Sequence, residues 1–218
     1  TEVKPHEMKM FGYTAALVRR KVNVLFPPTS SNPVIMYLSI MQVQTYLGIC
    51  TIREAISSDL PQLVAVHVAS FNATYPDYHP KPSSTLREQQ WKLLLAQKPD
   101  RWFCYVLQPE DGPLAGFATG HAFHDPALPY KGQLDKIHIL KPYQGLGFGS
   151  LLMFKVVNRF LQQGIDSMIL FADPANPAIR FYDVLGGERL LLSDNTFDGA
   201  FGWKDLDGLA RLLRQRTQ

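Results

Sequence analysis

The sequence predicts a mixed α/β domain, a sheet with helices on both faces, behind an N-terminal extension. Three observations carry this. From residue 51 the periodicities run strand, two helices, three strands, helix, strand, helix, two strands. That order builds a layered α/β domain without the regular alternation of a doubly wound one. "SMILFA" (167–172) is short and wholly apolar, as a strand inside a sheet should be. "QGLGFG" (144–149) sets three glycines at alternate positions between a strand-like and a helix-like run. At 218 residues and 46% hydrophobic, the chain has the length of one domain plus an extension, and enough apolar residues for a sizeable core.

Each element has its own signal. "TIREA" (51–55) has a short strand pattern. In "SSDLPQLVAVHVASF" (57–71), Ser58 or Asp59 can cap a helix and Pro61 suits its first turn, while Leu60, Leu63, Val64, His67 and Phe71 recur at helical spacing. "FNATYPDYHPKP" (71–82) is a loop of prolines and aromatics. "SSTLREQQWKLLLAQ" (83–97) is a second helix, in which Thr85-x-x-Glu88 matches a capping box. "RWFCYVLQ" (101–108) and "LAGFATGHAF" (114–123) flank the turn "PEDGP", and "GQLDKIHIL" (132–140) is a third strand. The helix "SLLMFKVVNRFLQQ" (150–163) ends at Gly164, and "NPAIRFYDVL" (176–185) is stopped by Gly186 and Gly187. "ERLLLS" (188–193) and "GAFGWKDL" (199–206) close the sheet, and "DGLARLLRQR" (207–216) is a last helix. The expected division is 1–50 extension, 51–206 domain, 207–218 helical tail.

The extension holds the whole net charge of +3, because residues 1–50 carry five basic and two acidic residues and the rest of the chain balances. A nucleic-acid footprint is not expected on a neutral body. No charge stands between Lys21 and Arg53, yet Gln42, Gln44 and Thr45 interrupt the apolar run "NPVIMYLSIMQVQTYLGIC" and Pro33 starts it, so a membrane span is not expected. The run starts late for a secretory signal and shows no clear cleavage site. With "FPPTSSNP" as a linker, residues 1–50 are expected to be disordered or loosely docked, and Met36 or Met41 is an expected alternative start. Cys50 and Cys104 are too few for a disulfide scaffold and read as reduced and buried in a cytoplasmic protein. His121 and His124 lack the companions of a zinc site, so no metal is expected.

The glycine run asks for a compensation, since each glycine costs roughly 0.5–1 kcal/mol relative to alanine in a helix. A tight turn is one answer. A bound anion is the other, because a helix N-terminus presents unpaired N–H groups and partial positive charge, and glycines let an anion approach. Three glycines together favour the anion. A P-loop is excluded by the missing lysine before Ser150. The dinucleotide fingerprint fails because the third glycine comes one residue early.

"QGLGFG" resembles the Gln/Arg-x-x-Gly-x-Gly/Ala loop of the GCN5-related N-acetyltransferases (GNAT). "NPAIRFYDVLGGE" is similar to that family's second signature through Asn176, Ala178, Phe181, Tyr182, Leu185 and Gly186. "LDKIHILKPYQ" resembles its fourth strand, and "GWKDL" the endings of bacterial small-molecule members. The resemblance covers residues 51 to about 206. It implies a mostly antiparallel central sheet and acetyl-CoA as co-substrate. It also implies transfer to a primary amine of a small molecule or amino acid. No nucleic-acid or membrane partner is expected, and a homodimer is allowed. The cofactor-binding residues it implies are Ile137, His138 and Ile139 on the strand, Gln144, Gly145, Leu146, Gly147, Phe148, Gly149 and Ser150 in the loop, and Asn176, Phe181 and Tyr182.

Transfer to an amine makes three demands. The ammonium must lose a proton, at roughly 4–5 kcal/mol for a pKa near 10.4 at pH 7. The thioester oxygen needs an N–H donor, and the leaving thiolate needs a proton. The resemblance implies the backbone near Ile137–Ile139 for the second and Tyr182 for the third. For the first, many relatives carry a glutamate where this chain has Gln133. Asp135 lies two residues on, on the same strand face unless a bulge intervenes, and is the expected base. His121 and His138 are lesser candidates, and direct loss to water is a further one. The loop between the first two helices supplies Tyr75, Asp77 and Tyr78 as expected acceptor contacts, by cation–π attraction and charge. A non-catalytic acyl-CoA-binding module, supported by Gln133, and a nucleotide-binding regulatory domain, opposed by the missing lysine, are the alternatives.

Overall fold

Alternation along one strand explains the two-faced core. In β4 (Phe103–Pro109), Phe103, Tyr105 and Leu107 are buried in one apolar cluster while Cys104 and Val106 are buried in another. Such a strand must have helices on both faces. The computed structural model describes residues 23–25 and 40–216. Its other strands are β1 (Asn23–Leu25), β2 (Ile40–Thr45), β3 (Gly48–Glu54), β5 (Gly116–Ala122), β6 (Gly132–Ile139), β7 (Met168–Phe171), β8 (Glu188–Leu191) and β9 (Phe197–Trp203). They form one nine-stranded sheet in the order β1-β2-β3-β4-β5-β6-β7-β9-β8. Every neighbouring pair is antiparallel except β6–β7. The sheet is thus mixed and mostly antiparallel, as expected.

Helices α1 (Leu60–Thr74) and α2 (Ser84–Ala96) cover one face. Leu63, Val64 and Val66 of α1 and Trp91 of α2 pack with Cys104, Val106, Leu114 and Phe117 of the strands and their turn. Helix α3 (Phe148–Gln162) covers the other face with nearly every apolar side chain buried. The last helix, α5 (Leu206–Arg216), seals α3 with Leu206, Leu209 and Leu213 at helical spacing. Between them lies α4 (Ile179–Val184).

Three local expectations are corrected. The sheet begins before residue 51, since β3 starts at Gly48 and pairs with β2 from Ile40. Gln42 and Gln44 break the apolar run because they alternate with buried residues. They are the solvent side of a strand whose Met41 and Val43 are buried. The expectations for residues 1–22 and 26–39 lie outside the described residues. The cap of α2 is Ser83, whose hydroxyl accepts from the Leu86 N–H at 3.1 Å, and not Thr85, which sits inside the first turn. Asp59 stands at the start of α1 but makes no cap bond. Its carboxylate accepts the Ile56 N–H at 2.8 Å and both terminal nitrogens of Arg53, at 2.7 and 2.9 Å.

Candidate active site

The parallel pair β6–β7 lasts only two residue pairs, Gly132↔Met168 and Gln133↔Ile169. Beyond them the strands diverge, and a cavity of about 700 Å³ opens between residues 134–139 of β6 and Leu170–Asp173. A bulge decides what β6 shows this opening. Thr119 pairs with Lys136 and Gly120 with Leu134, so Asp135 has no partner on β5. The Gly132 N–H bonds to Ser167 on the β7 side, whereas the Leu140 N–H bonds to Ala115 on the β5 side. Alternation then turns the backbone groups of Ile137 and Ile139 into the cavity and those of His138 toward β5. The Ile139 carbonyl accepts from Gln144 Nε2 at 2.9 Å, which fits that direction.

The glycine loop forms one end of the cavity. Gly145 and Gly147 have φ of +72° and +84°, which side chains rarely tolerate. Gly147 is the residue before α3, and its carbonyl accepts the Leu151 N–H at 3.1 Å, so the N–H groups of residues 148–150 have no partner within the helix. Gly149 meets a different need. A Cβ there would stand 3.4 Å from the Phe181 ring, which packs over the first turn of α3.

The other end faces α1 and α2. His138 stacks on Phe117 at 5.1 Å, and its Nδ1 lies 2.9 Å from Ser70 Oγ. His67, 4% exposed, accepts from Trp91 Nε1 at 3.3 Å. Burial, with help from nearby cations, lowers His67 to about 2 and His138 to about 4, so both are neutral at pH 7. The Asp135 carboxylate accepts from Thr119 Oγ1 at 3.3 Å and pairs with Lys136 Nζ.

Tyr182 of α4 lines the cavity, 5% exposed, among Phe181, Phe201 and Trp203. Burial, with a smaller contribution from Tyr75, pushes its hydroxyl up to about 12, so it keeps its proton. Tyr75, at the end of α1, and Asn176 both line the cavity.

Most residues singled out in the sequence meet here. Asp135, Ile137, His138, Ile139, Gln144, Gly145, Gly147, Gly149, Ser150, Asn176, Phe181, Tyr182 and Tyr75 all line the cavity. Leu146 and Phe148 turn their side chains into the core, at 4% and 0% exposed, and can offer only backbone N–H groups. Asp77, Tyr78 and His121 stand off the cavity wall. Tyr78 packs edge-on against Phe71 at 5.2 Å, and His121 Nδ1 lies 2.8 Å from the Ala122 carbonyl. Sequence reasoning missed Ser70, Phe71 and Arg87 on the wall. Nothing local marks them, because they enter only through the packing of α1 and α2 on the sheet. Among the described residues no cluster of three His, Cys, Asp or Glu is placed to hold a metal ion, and no helix is long and apolar enough to cross a membrane.

Residues 63–186 match the sequence profile of the acetyltransferase (GNAT) family. The chain belongs to this family. It is 30% identical over 176 residues to the uncharacterized N-acetyltransferase YuaI of Bacillus subtilis, covering 76% of this chain and 99% of YuaI. It is 28% identical over 96 residues to the ribosomal protein bS18 alanine N-acetyltransferase of Haemophilus influenzae, covering 44% of this chain and 62% of that one. The fold matches the PaiA N-acetyltransferase of Thermoplasma acidophilum in complex with coenzyme A, with a TM-score of 0.55 at 18% identity. That match covers 70% of this chain and 97% of the other. For this GNAT chain, acetyl transfer is the activity to which the cavity must answer.

Proposed function

We propose that this protein transfers the acetyl group of acetyl-CoA to the primary amine of a small molecule or amino acid. One observation carries the reading. A single cavity joins a glycine-lined helix N-terminus, the open edge of β6, a buried tyrosine hydroxyl and a wall of acid–base groups. The residues suit the co-substrate. The N–H groups around Gly147 can hold a diphosphate, and the free edge at Ile137 and Ile139 can pair with an extended amide chain.

Acetyl-CoA supplies the acetyl group as an activated thioester. Asp135, on the wall, takes the proton of the acceptor ammonium. The backbone N–H groups of Ile137 and Ile139 face the cavity and stabilise the negative oxygen. Tyr182, which holds its proton at neutral pH, gives it to the departing thiolate. Tyr75 closes the acceptor side. Gln133 is the sole support for a non-catalytic module. It is absent from the cavity wall, whereas Asp135, His138 and Tyr182 line it. Cys50 and Cys104 are free and buried, which suits a reducing cytoplasm.

The test is incubation with acetyl-CoA and a panel of amines, amino acids and peptides while free thiol is followed. Amine-dependent thiol release is the expected result. Binding of acetyl-CoA with no release for any amine overturns the reading in favour of a binding module.

A further inference from the structure

The acceptor end of the cavity holds a cation, Arg87, that has no anionic partner among the described residues. Arg87 lines it from α2, with its guanidinium carbon 5.2 Å over the Phe71 ring. Nη1 donates to Gln90 Oε1 at 2.9 Å. Nε is buried and has no acceptor. Among the described residues no carboxylate pairs with Arg87. The neighbouring cation, Lys136, is already taken by Asp135.

Nε and Nη2 donate to no protein acceptor and form the edge that receives a carboxylate through two parallel hydrogen bonds; Nε is covered in this structure, so that pairing requires the side chain to turn toward the cavity. The protein shows that pairing elsewhere. Arg189 donates through Nε and through Nη2 to the two oxygens of Asp183, each at 2.8 Å. A partly buried guanidinium left without an anion is costly, and a carboxylate brought by a ligand removes that cost.

We propose that Arg87 binds a carboxylate of the acceptor, so that the amines acetylated are amino acids. The inference rests on the acetyltransferase reading above and narrows it. Asp135 and Arg87 then face the two ends of one zwitterion, the ammonium toward the carboxylate and the carboxylate toward the guanidinium. Phe71 offers an apolar surface beside Arg87.

The experiment compares α-amino acids and ω-amino acids of three to six carbons, each with its own carboxamide, as acceptors with saturating acetyl-CoA. The expected result is that at least one acid has a kcat/KM tenfold or more above that of its carboxamide. In Arg87→Gln this acid-to-amide ratio should fall at least tenfold, and in Arg87→Lys by less, because a lysine restores charge without the two-bond edge. A loosened α2 would lower both rates together and leave the ratio in place, so an unchanged ratio in Arg87→Gln overturns the assignment. The inference also fails if no acid is favoured tenfold, whether both forms react alike, only uncharged amines or peptides react, or none reacts. Thermal stabilisation by acetyl-CoA, measured in the same samples, separates the failures. Its absence removes the acetyltransferase reading, and its presence confines the failure to Arg87.

Discussion

Nδ1 of His138 and Oγ of Ser70 lie 2.9 Å apart, and this contact sets the tautomer of the imidazole. Ser70 Oγ spends its proton on the Val66 carbonyl at 2.7 Å, so His138 donates through Nδ1–H and keeps its lone pair on Nε2. His67 is fixed in the opposite sense, since its Nδ1 accepts from Trp91. Both rings are therefore packed as neutral groups, with centroids 4.7 Å apart.

Neutral packing has a consequence for stability. The unfolded imidazoles titrate near 6.5, whereas folding lowers His67 to about 2 and His138 to about 4. Between these values the unfolded state binds more protons. The stability is therefore full above pH 6.5 and is lost as pH falls toward 4. Lowering the pH from 7 to 5 should cost about 2 kcal/mol for each ring. Urea unfolding at the two pH values checks this, and in His138→Gln the pH-dependent part should fall by about half. A full pH dependence in that variant would show that His138 titrates alike in both states.

The glycine loop gives a binding prediction. Gly147 has φ of +84°, so Gly147→Glu pays for a strained backbone of roughly 1–2 kcal/mol and sets a carboxylate at the N-terminus of α3. Acetyl-CoA at 100 times its dissociation constant should stabilise the parent by about 2.7 kcal/mol. The variant should melt a few degrees lower without ligand and show no shift with it. A shift equal to the parent's would falsify the placement of the diphosphate at this loop.

How much of this was legible in the sequence varies by physical cause. The glycine loop and the Asn176–Gly186 segment are local, so their residues were found and most of them line one cavity. The division at residue 51 follows from where the strand and helix periodicities begin, and it misses β2, in which Gln42 and Gln44 alternate with buried Met41 and Val43 as a half-buried strand requires. The capping error at Thr85 arose because a box pattern and a true cap two residues earlier, Ser83, offer the same chemistry. The bulge at Asp135 depends on how β5 and β6 register, and Ser70 meets His138 across 68 residues. Neither relationship has a signal in a single stretch of chain.

Tyr182→Phe removes one hydroxyl from a buried aromatic cluster and little volume. Acetyl-CoA binding should survive. Turnover should fall by about 10²–10⁴-fold, the usual worth of a general acid. Single-turnover measurements keep product release from hiding the chemical step. Turnover within about twofold of the parent in that assay would leave Tyr182 as packing between Phe181 and Phe201.

Asp135→Asn tests the base, and the structure sharpens what the test must exclude. Asp135 sits at a bulge, which could have turned it from the cavity, yet it lines the wall and accepts from Thr119 at 3.3 Å. It also neutralises Lys136, so its removal changes the local charge as well as the proton acceptor. The two effects separate by pH. If Asp135 takes the acceptor's proton, the loss of about 10²–10⁴-fold near pH 7 should shrink toward pH 9.5, because more of the amine is then already neutral. If Asp135 only restrains Lys136, the loss should be the same at every pH, and Lys136→Met in the Asp135→Asn background should recover part of it. No loss at all transfers the role to His138, whose Nε2 lone pair is fixed by Ser70, or to water. Initial rates with saturating acetyl-CoA across pH 7–9.5, in the single and double variants, distinguish these outcomes.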